Sequence, residues 1–436
     1  MVLTGRLALL AGLGAAVVGV LVGLGVPATT ALLVVNGALV VLAAADVVRA
    51  ASPRSVEVDR TGDTRVRLGE AADLVLTVRN GGPRRLRGSL RDAWAPTAGA
   101  TVRGTGSDRA TLDLPAGGSV RIPIEVRPER RGDRPTDRIT VRSLGPLGLA
   151  GRQRSTRSDW SVRVLPPFPS RRHLPSRLAR LRDMDGRQAI AIRAQGTEFD
   201  SLREYVPGDD VRSIDWRATA RAADVMVRTW RPERDRRVVL VLDTGRTCAA
   251  RIGDETRLDI LLDAGLLLAA LAGRAGDRVD LMAHDRRTRL QVSGGTGPSV
   301  LPQLVEGIAT LEPELTETDH RGLVAAVLGQ VRKRALVVLF TSLDRAPLEE
   351  GLLPVLPALT ARHTVVVAAV REPATPLDAD AAGTYQRAAV ARAELDRATM
   401  ATQLARMGAR VVDAGPEDLA PRLADTYLDL KAAGKL

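Results

Sequence analysis

Residues 196–221 combine side chains that could carry out chemistry. The arginines of this range are interspersed with carboxylates, and the set includes Arg203, Arg212, Arg217 and Arg221 with Glu198, Glu204, Asp209, Asp210 and Asp215. Paired carboxylates could perform acid–base work, as in glycoside hydrolysis. Arginine forks, however, bind carboxylates bidentately and keep them ionised, which opposes a general-acid role. The segment therefore favours an ion-pair network, with a membrane-bound hydrolase as the alternative.

Other motifs typical of enzymes are missing from the sequence. GxxxxGK[ST], HExxH and GxSxG do not occur, and the four histidines are scattered. The single cysteine, Cys248, excludes an intramolecular disulfide and a multi-cysteine metal site. It could act as a nucleophile only with a histidine nearby. The sequence thus predicts no catalytic residue.

The chain has a formal net charge of +12, and nearly all of the positive charge is arginine. Nucleic acid is a natural partner for a basic protein. Aromatic residues make up only 2% of the chain, however, which leaves few platforms on which bases could stack. We therefore expect no nucleic-acid partner and attribute the charge to attraction towards anionic membrane lipid.

The elements that position these residues begin with an N-terminal hairpin, residues 1–50. Residues 7–26 are uncharged and residues 30–48 form a second apolar run, each about long enough to span a bilayer. A cleaved signal peptide is the alternative for the first run, but no second span would follow it. Arg6, Arg49 and Arg54 flank the hairpin, so the positive-inside rule predicts a two-helix membrane protein with cytoplasmic soluble domains.

Residues 55–166 change to a period of two. Apolar residues alternate with polar ones at 74–78, 120–126, 139–141 and 162–164, with glycine-rich turn signals between these runs. Several short strands at this spacing predict an antiparallel β-sandwich. Residues 167–236 then form a connector that contains the arginine–carboxylate segment.

Residues 237–436 alternate apolar strands with amphipathic helices. Strands are predicted at 238–243, 278–284, 335–341, 363–370 and 411–412, and helices at 257–274, 299–311 and 321–332. Nearly continuous Val/Leu strands separated by helices predict an α/β doubly wound, mainly parallel sheet. Its binding site should lie at the carboxyl ends of the strands.

Two such strand ends carry Asp243-Thr244-Gly245-Arg246-Thr247 and Thr341-Ser342-Leu343-Asp344. The first resembles the Asp-x-Ser-x-Ser loop of von Willebrand factor A domains, which holds a divalent cation through a carboxylate and hydroxyls. The ligands that the resemblance implies are Asp243, Thr247 and Asp344, with Thr316 or Thr318 as the loop threonine. Gly245 replaces the first serine, so we expect Mg²⁺ or another divalent cation to be held weakly. The alternative is that Asp243 only caps the next turn or pairs with an arginine.

The most distinctive residues are Gly196-Thr197-Glu198-Phe199, Arg203-Glu204-Tyr205-Val206-Pro207-Gly208-Asp209-Asp210 and Arg212-Ser213-Ile214-Asp215-Trp216-Arg217-Ala218-Thr219-Ala220-Arg221. With the Asp243 loop and Pro146-Leu147-Gly148-Leu149, they resemble the bacterial family called domain of unknown function 58. The signature residues are Arg203, Tyr205, Gly208, Asp209, Arg212, Asp215, Trp216 and Arg221. The resemblance implies a von Willebrand A-like domain in a membrane protein, often encoded beside a MoxR-type AAA+ ATPase.

These expectations combine into a membrane-anchored scaffold without enzymatic activity. Its A-like domain would bind a protein partner, for which the resemblance suggests a MoxR-type ATPase. We expect the ion pairs of residues 203–221, together with Trp216, to fasten the connector to the first strand of the A-like domain. Carboxylates of this segment that converge without arginine partners would instead favour the hydrolase.

Overall fold

The computed structural model describes residues 1–191, 198–207, 209, 211–222, 224–231, 236–295, 297, 299–373 and 381–436. The chain forms two compact units, Met1–Leu165 and Pro166–Leu436.

The first unit begins with two apolar helices, α1 (Gly5–Gly23) and α2 (Ala28–Arg49). Each is long and apolar enough to cross a membrane, and most of their large apolar side chains are exposed. The helices pack closely at Gly14, where a Cβ atom would lie 2.8 Å from Val35 Cγ1. The prediction of two apolar N-terminal helices is therefore confirmed.

The rest of this unit is built from strands. They are β1 (Val2–Leu3), β2 (Val56–Gly62), β3 (Arg65–Arg67), β4 (Ala72–Asn80), β5 (Leu86–Trp94), β6 (Ala100–Val102), β7 (Arg109–Leu114), β8 (Ser119–Val126), β9 (Gly132–Leu144), β10 (Ala150–Arg157) and β11 (Ser161–Leu165). One sheet has the order β2-β4-β8-β6, and the other contains β1, β10, β9, β11 and β3, with β5 between β9 and β7. Every second residue of β4 and β8 is buried, and one core draws on both sheets.

The base of the helical hairpin is bound to the strands of the same unit. The carboxylate of Asp46, near the end of α2, accepts hydrogen bonds from the backbone N–H groups of Leu147 (2.8 Å), Leu149 (2.7 Å) and Ala150 (3.0 Å). The Thr4 hydroxyl, just before α1, donates to the carbonyl of Gly148 at 2.7 Å. Strand β1 also pairs with β10. Both ends of the hairpin therefore meet the Pro146–Leu149 loop.

The strands of the second unit are β12 (Glu198–Glu204), β13 (Met226–Arg231), β14 (Arg237–Asp243), β15 (Arg251–Ile252), β16 (Glu255–Thr256), β17 (Arg278–His284), β18 (Thr288–Val292), β19 (Leu336–Phe340), β20 (Thr364–Val370) and β21 (Arg410–Ala414). Its helices are α3 (Leu174–Ala191), α4 (Trp216–Thr219), α5 (Arg257–Arg274), α6 (Val300–Ile308), α7 (His320–Gln330), α8 (Arg345–Pro347), α9 (Leu356–Thr360), α10 (Ala381–Arg406) and α11 (Pro416–Ala432). The main sheet has the order β18-β17-β14-β19-β20-β21.

Strand β14 lies inside this sheet, with parallel neighbours β17 and β19. On one face, Val239 and Val241 belong to a core that includes residues of α7, α9 and α10. On the other face, Leu240 and Leu242 line a small cavity with residues of α5 and α6. Helices therefore cover both faces of β14, which explains why the strand is apolar at nearly every position.

The sequence analysis did not identify several elements of this unit, among them β18 and α10. Strand β18 pairs antiparallel to β17 at the edge of the sheet, and it is too short and polar to give a strong signal. Helix α10 has 26 residues with exposed side chains along much of its length, so it lacks a clear apolar stripe.

Candidate functional site

The signature residues form a local structure with the strand that follows them. Together they make up the signature segment, the described part of residues 198–231. Strands β12 and β13 pair antiparallel, and Ile214, in the connection between them, bridges to Val227. The short helix α4 follows, with Asp215 as its N-cap. Gly196, Thr197, Gly208 and Asp210 lie outside the described residues.

Two carboxylates of this segment are bound to arginines. Asp209 accepts a hydrogen bond from Arg203 Nη2 at 2.5 Å and another from the backbone N–H of Val206 at 3.0 Å. Arg228 Nε donates to Asp215 Oδ2 at 2.8 Å. These contacts leave neither carboxylate in the unpaired state that the hydrolase alternative requires.

Asp215 also caps α4. Its Oδ1 accepts hydrogen bonds from the backbone N–H groups of Arg217 (2.9 Å) and Ala218 (3.0 Å). The Ala218 N–H and the Arg228 guanidinium hold the pKa of the Asp215 carboxyl below its usual range. A carboxyl that stays ionised is a poor general acid.

Several apolar side chains of the segment face solvent. Trp216 is 69% exposed, and Val206 and Val211 are also exposed. The signature residues Arg212 and Arg221 are exposed as well, whereas Tyr205 is half-buried. The expectation that Trp216 fastens the connector to the A-like domain is therefore wrong, because a tryptophan buried in such a contact would lose most of its exposed surface. The ion pairs Arg203–Asp209 and Arg228–Asp215 both form between residues of the segment itself.

Asp243, at the end of β14, is buried and fully hydrogen-bonded. Its Oδ1 accepts from the backbone N–H of Gly245 at 2.9 Å and from the Thr318 hydroxyl at 2.5 Å, and its Oδ2 accepts from the Thr341 hydroxyl at 2.7 Å. A Cβ atom on Gly245 would lie only 2.1 Å from Thr318 Oγ1. A side chain at position 245 would therefore displace the threonine that contacts the carboxylate.

Arg257 lies beside the other two residues of the implied cation site. Its side chain is buried, and Nη1 donates to the carbonyl of Thr247 at 2.7 Å and to Asp344 Oδ2 at 3.2 Å. Its Nη2 binds Glu372 Oε1 at 2.8 Å. The sequence analysis missed this arginine because its distance from Asp344 along the chain gives no local signal.

In this arrangement the residues implied as cation ligands do not fit a divalent cation. Among the residues that the structure describes, no three His, Cys, Asp or Glu side chains are grouped so that they could hold a metal ion. Asp243 is occupied by two hydroxyls and one N–H group, and a guanidinium binds Asp344. A positive side chain beside the second carboxylate disfavours a second cation there.

Cys248 and His320 also lie near Asp243. Cys248 is buried, and burial, followed by the charge of Asp243, raises the pKa of its thiol well above the usual value. Burial lowers the pKa of His320 although Asp243 opposes this shift. The cavity that His320 and Asp243 share has room for about one water molecule. A protonated thiol and so small a space do not support nucleophilic catalysis on a substrate.

Leu315 is an exposed apolar residue at the edge of the sheet where β14 ends. It is 82% exposed and sits in a loop that the backbone ties to the strand end, through Glu314 N–H to the Thr244 carbonyl (2.7 Å) and Arg246 N–H to the Thr316 carbonyl (2.9 Å). A single leucine in a polar loop has no periodicity, so the sequence could not single it out. The loop holds an apolar side chain in solvent beside Asp243.

Comparison with known proteins identifies the central part of the chain. Residues 201–386 match the family model described as "Protein of unknown function DUF58". This stretch is similar to the DUF58 family. The family resemblance inferred from the signature residues is thereby confirmed.

Curated relatives of this stretch are themselves uncharacterized. The proteins Rv1480 of Mycobacterium tuberculosis (strain ATCC 25618 / H37Rv) and Mb1516 of Mycobacterium bovis (strain ATCC BAA-935 / AF2122/97) are each 26% identical over 184 residues. The match covers 42% of this chain and 57% of either relative, so the chain spans little more than half the length of these relatives.

Two solved structures are similar at a low level. An aerotolerance-related membrane protein from Bacteroides fragilis NCTC 9343 has a TM-score of 0.30 at 12% identity, over 44% of this chain and 98% of that chain. The conserved hypothetical protein BatB from Bacteroides thetaiotaomicron has a TM-score of 0.29 at 14% identity, over 46% of this chain and 99% of that chain.

Proposed function

We propose that this protein is a membrane-anchored scaffold whose C-terminal domain binds a protein partner and performs no catalysis. The observation that carries the proposal is which side chains of the signature segment are paired and which are exposed. Its carboxylates Asp209 and Asp215 are bound to arginines, while Trp216 is exposed. Tryptophan and arginine are the residues that most often dominate binding energy at protein interfaces.

The proposal includes the finer architecture. The strand order of the main sheet, with Asp243 at the end of its central strand β14, supports a doubly wound, von Willebrand A-like domain. The single core shared by the two sheets of the first unit supports a β-sandwich. The arginines that flank the hairpin support a cytoplasmic location for both.

The partner that we propose is a MoxR-type AAA+ ATPase, as the family resemblance suggests. Two exposed apolar side chains are available for such contact, Trp216 on the signature segment and Leu315 beside Asp243. The contact needs no metal ion, because Arg257 already lies beside Thr247 and Asp344.

The proposal is tested by binding of the purified full chain, in neutral detergent, to a MoxR-type ATPase from the same genome. Trp216→Ala and Leu315→Ala should each weaken binding about tenfold or more, since a truncated hot spot costs about 2 kcal/mol. Tyr385→Ala is the matched control, because Tyr385 is an aromatic residue that is 82% exposed on α10.

Wild-type affinity in both variants would place the interface elsewhere, and absence of binding by the wild-type chain would reject this partner. The enzyme alternative predicts a different experimental result. It would replace the scaffold if the chain hydrolysed a substrate and Asp215→Asn abolished that activity without changing the melting temperature.

A further inference from the structure

We propose that the base of the helical hairpin is a binding site for the headgroup of an anionic phospholipid, formed by Arg6, Arg49, Arg84 and Arg152. The inference rests on the proposed membrane anchoring and adds a lipid class and a set of residues to it. Only the tertiary structure brings the last two arginines to the hairpin, because they come from the strand-rich part of the unit.

Arg84 and Arg152 are held at the end of α2. Arg84 Nη1 donates a hydrogen bond to the carbonyl of Val48 at 2.6 Å, and Arg152 Nε donates to the carbonyl of Val47 at 3.0 Å. These carbonyls belong to the last turn of the helix, where backbone acceptors lack intrahelical partners. The bonds fix both guanidinium groups beside the point where the helix ends.

Arg6 and Arg49 bring two more positive charges to the same end of the hairpin. Arg49 is the last residue of α2 and is exposed. Arg6 lies in the first turn of α1, and its guanidinium is so close to Gly148 that a Cβ atom there would be 3.0 Å from Nη1. The loop that contains Gly148 is also bound by Asp46 of α2, which places it at the common end of both helices.

No described carboxylate neutralises these four arginines, since none of them forms an ion pair within the described parts of the chain. Asp46 is buried, and its two oxygens accept the N–H groups of Leu147, Leu149 and Ala150. The contrast with Arg85 is informative, because this neighbour of Arg84 binds Asp113 at 2.6 Å. The partial negative charge at the end of α2 offsets only about half of one elementary charge.

The position of the four arginines selects the ligand. At 1.5 Å per residue, helices of 19 and 22 residues match a bilayer core of about 30 Å, so their common end lies in the headgroup layer. Phosphate is the anion of that layer, and guanidinium groups bind it bidentately. Leu147, an exposed apolar residue of the loop at this end, is suited to contact with the adjoining acyl chains. A headgroup with a net negative charge therefore fits the site better than a zwitterionic one.

Thermal melting of the full chain in neutral detergent tests the site, with phosphatidylglycerol, phosphatidylcholine of the same acyl chains and inorganic phosphate as probes. Phosphatidylglycerol should raise the melting temperature by roughly 5 °C, and the other two should change it much less. The variant Arg6→Gln/Arg49→Gln should lose at least half of that shift, because neither side chain donates a hydrogen bond within the described residues and the fold does not depend on them. The control Arg79→Gln/Arg121→Gln changes exposed arginines on β4 and β8 and should keep the shift.

Equal shifts with phosphatidylcholine, or with inorganic phosphate alone, would overturn the lipid assignment, as would an undiminished shift in Arg6→Gln/Arg49→Gln. Flotation with phosphatidylcholine vesicles separates this failure from failure of the anchoring. A chain that floats without preferring phosphatidylglycerol would overturn the lipid site alone. A chain that floats with no vesicle would overturn the anchoring and the site together.

Discussion

The carboxylate of Asp277 connects the start of β17 to the C-terminal helix α11. Lys431 Nζ donates to its two oxygens at 2.7 and 2.9 Å, and the Tyr427 hydroxyl donates to Oδ2 at 2.5 Å. All three residues are buried. Asp277 lies at the amino end of its strand, opposite the edge that carries Asp243, so the cluster belongs to stability and not to the candidate site.

Removing the lysine from this cluster should therefore destabilise the protein. Lys431→Met leaves the Asp277 charge buried without its cation, which typically costs about 3–5 kcal/mol. Chemical denaturation of the full chain in detergent measures the loss, and Lys435→Met, near the C-terminus, serves as the control. The double variant Asp277→Leu/Lys431→Met should recover much of the loss, because it leaves no unpaired charge. A single variant as stable as wild type would show that the pair contributes little.

At the scale of elements, one side chain of α2 binds the chain at the junction of two strands. Asp46 accepts hydrogen bonds from three backbone N–H groups, two in the loop that connects β9 to β10 and one at the first residue of β10. A Cβ atom on Gly145 would lie 2.2 Å from Asp46 Oδ1, so glycine at this position allows the loop to approach the carboxylate. The helix and the loop therefore depend on each other for their positions.

Replacing Asp46 should loosen this connection. In Asp46→Ala the three N–H groups lose a charged acceptor, and a hydrogen bond to a charged group is worth about 1.5–3 kcal/mol. We expect a lower melting temperature and faster amide hydrogen exchange at Leu147, Leu149 and Ala150.

Asn36→Ala, in the same helix, is the control for this variant, because the Asn36 amide donates only to the helix carbonyl of Leu32. It should leave those three amides protected. Unchanged exchange in Asp46→Ala would mean that the strands hold the loop without the helix.

At the scale of the whole molecule, the topology of the hairpin decides where the soluble part resides. Thr4 and Asp46, at the two ends of the hairpin, contact the same loop, so a hairpin that spans a membrane has both ends on one side of it. We propose that this side is the cytoplasm, because arginines flank both ends of the hairpin.

Trypsin added to intact spheroplasts of an expressing bacterium should leave the chain after Arg54 uncut. Lysed spheroplasts provide the control in which the arginine-rich soluble part is digested. Cleavage of that part before lysis would reverse the proposed orientation.

The sequence alone predicted those strands and helices in which the buried or apolar residues recur at a regular spacing. The fully apolar run of β14, the alternation in β4 and β8, and the uncharged lengths of α1 and α2 each reflect a local period that one type of packing imposes. The signature residues likewise indicated the family resemblance, because they lie close together in the chain. Elements without a clear period, such as β18 and α10, could not be predicted in this way.

Only the tertiary structure decided which charged side chains contact each other. Arg257 and Asp344 are 87 residues apart in the chain, and Lys431 and Asp277 are 154 apart, yet each pair is in contact. The same holds for Trp216, whose exposure depends on how β12 and β13 fold back on each other. Hydrogen bonds and ion pairs are short-ranged and leave no periodic pattern in the sequence. The residues that contact Asp243, and the two arginines that the strand-rich part brings to the hairpin base, therefore became evident only in the folded chain.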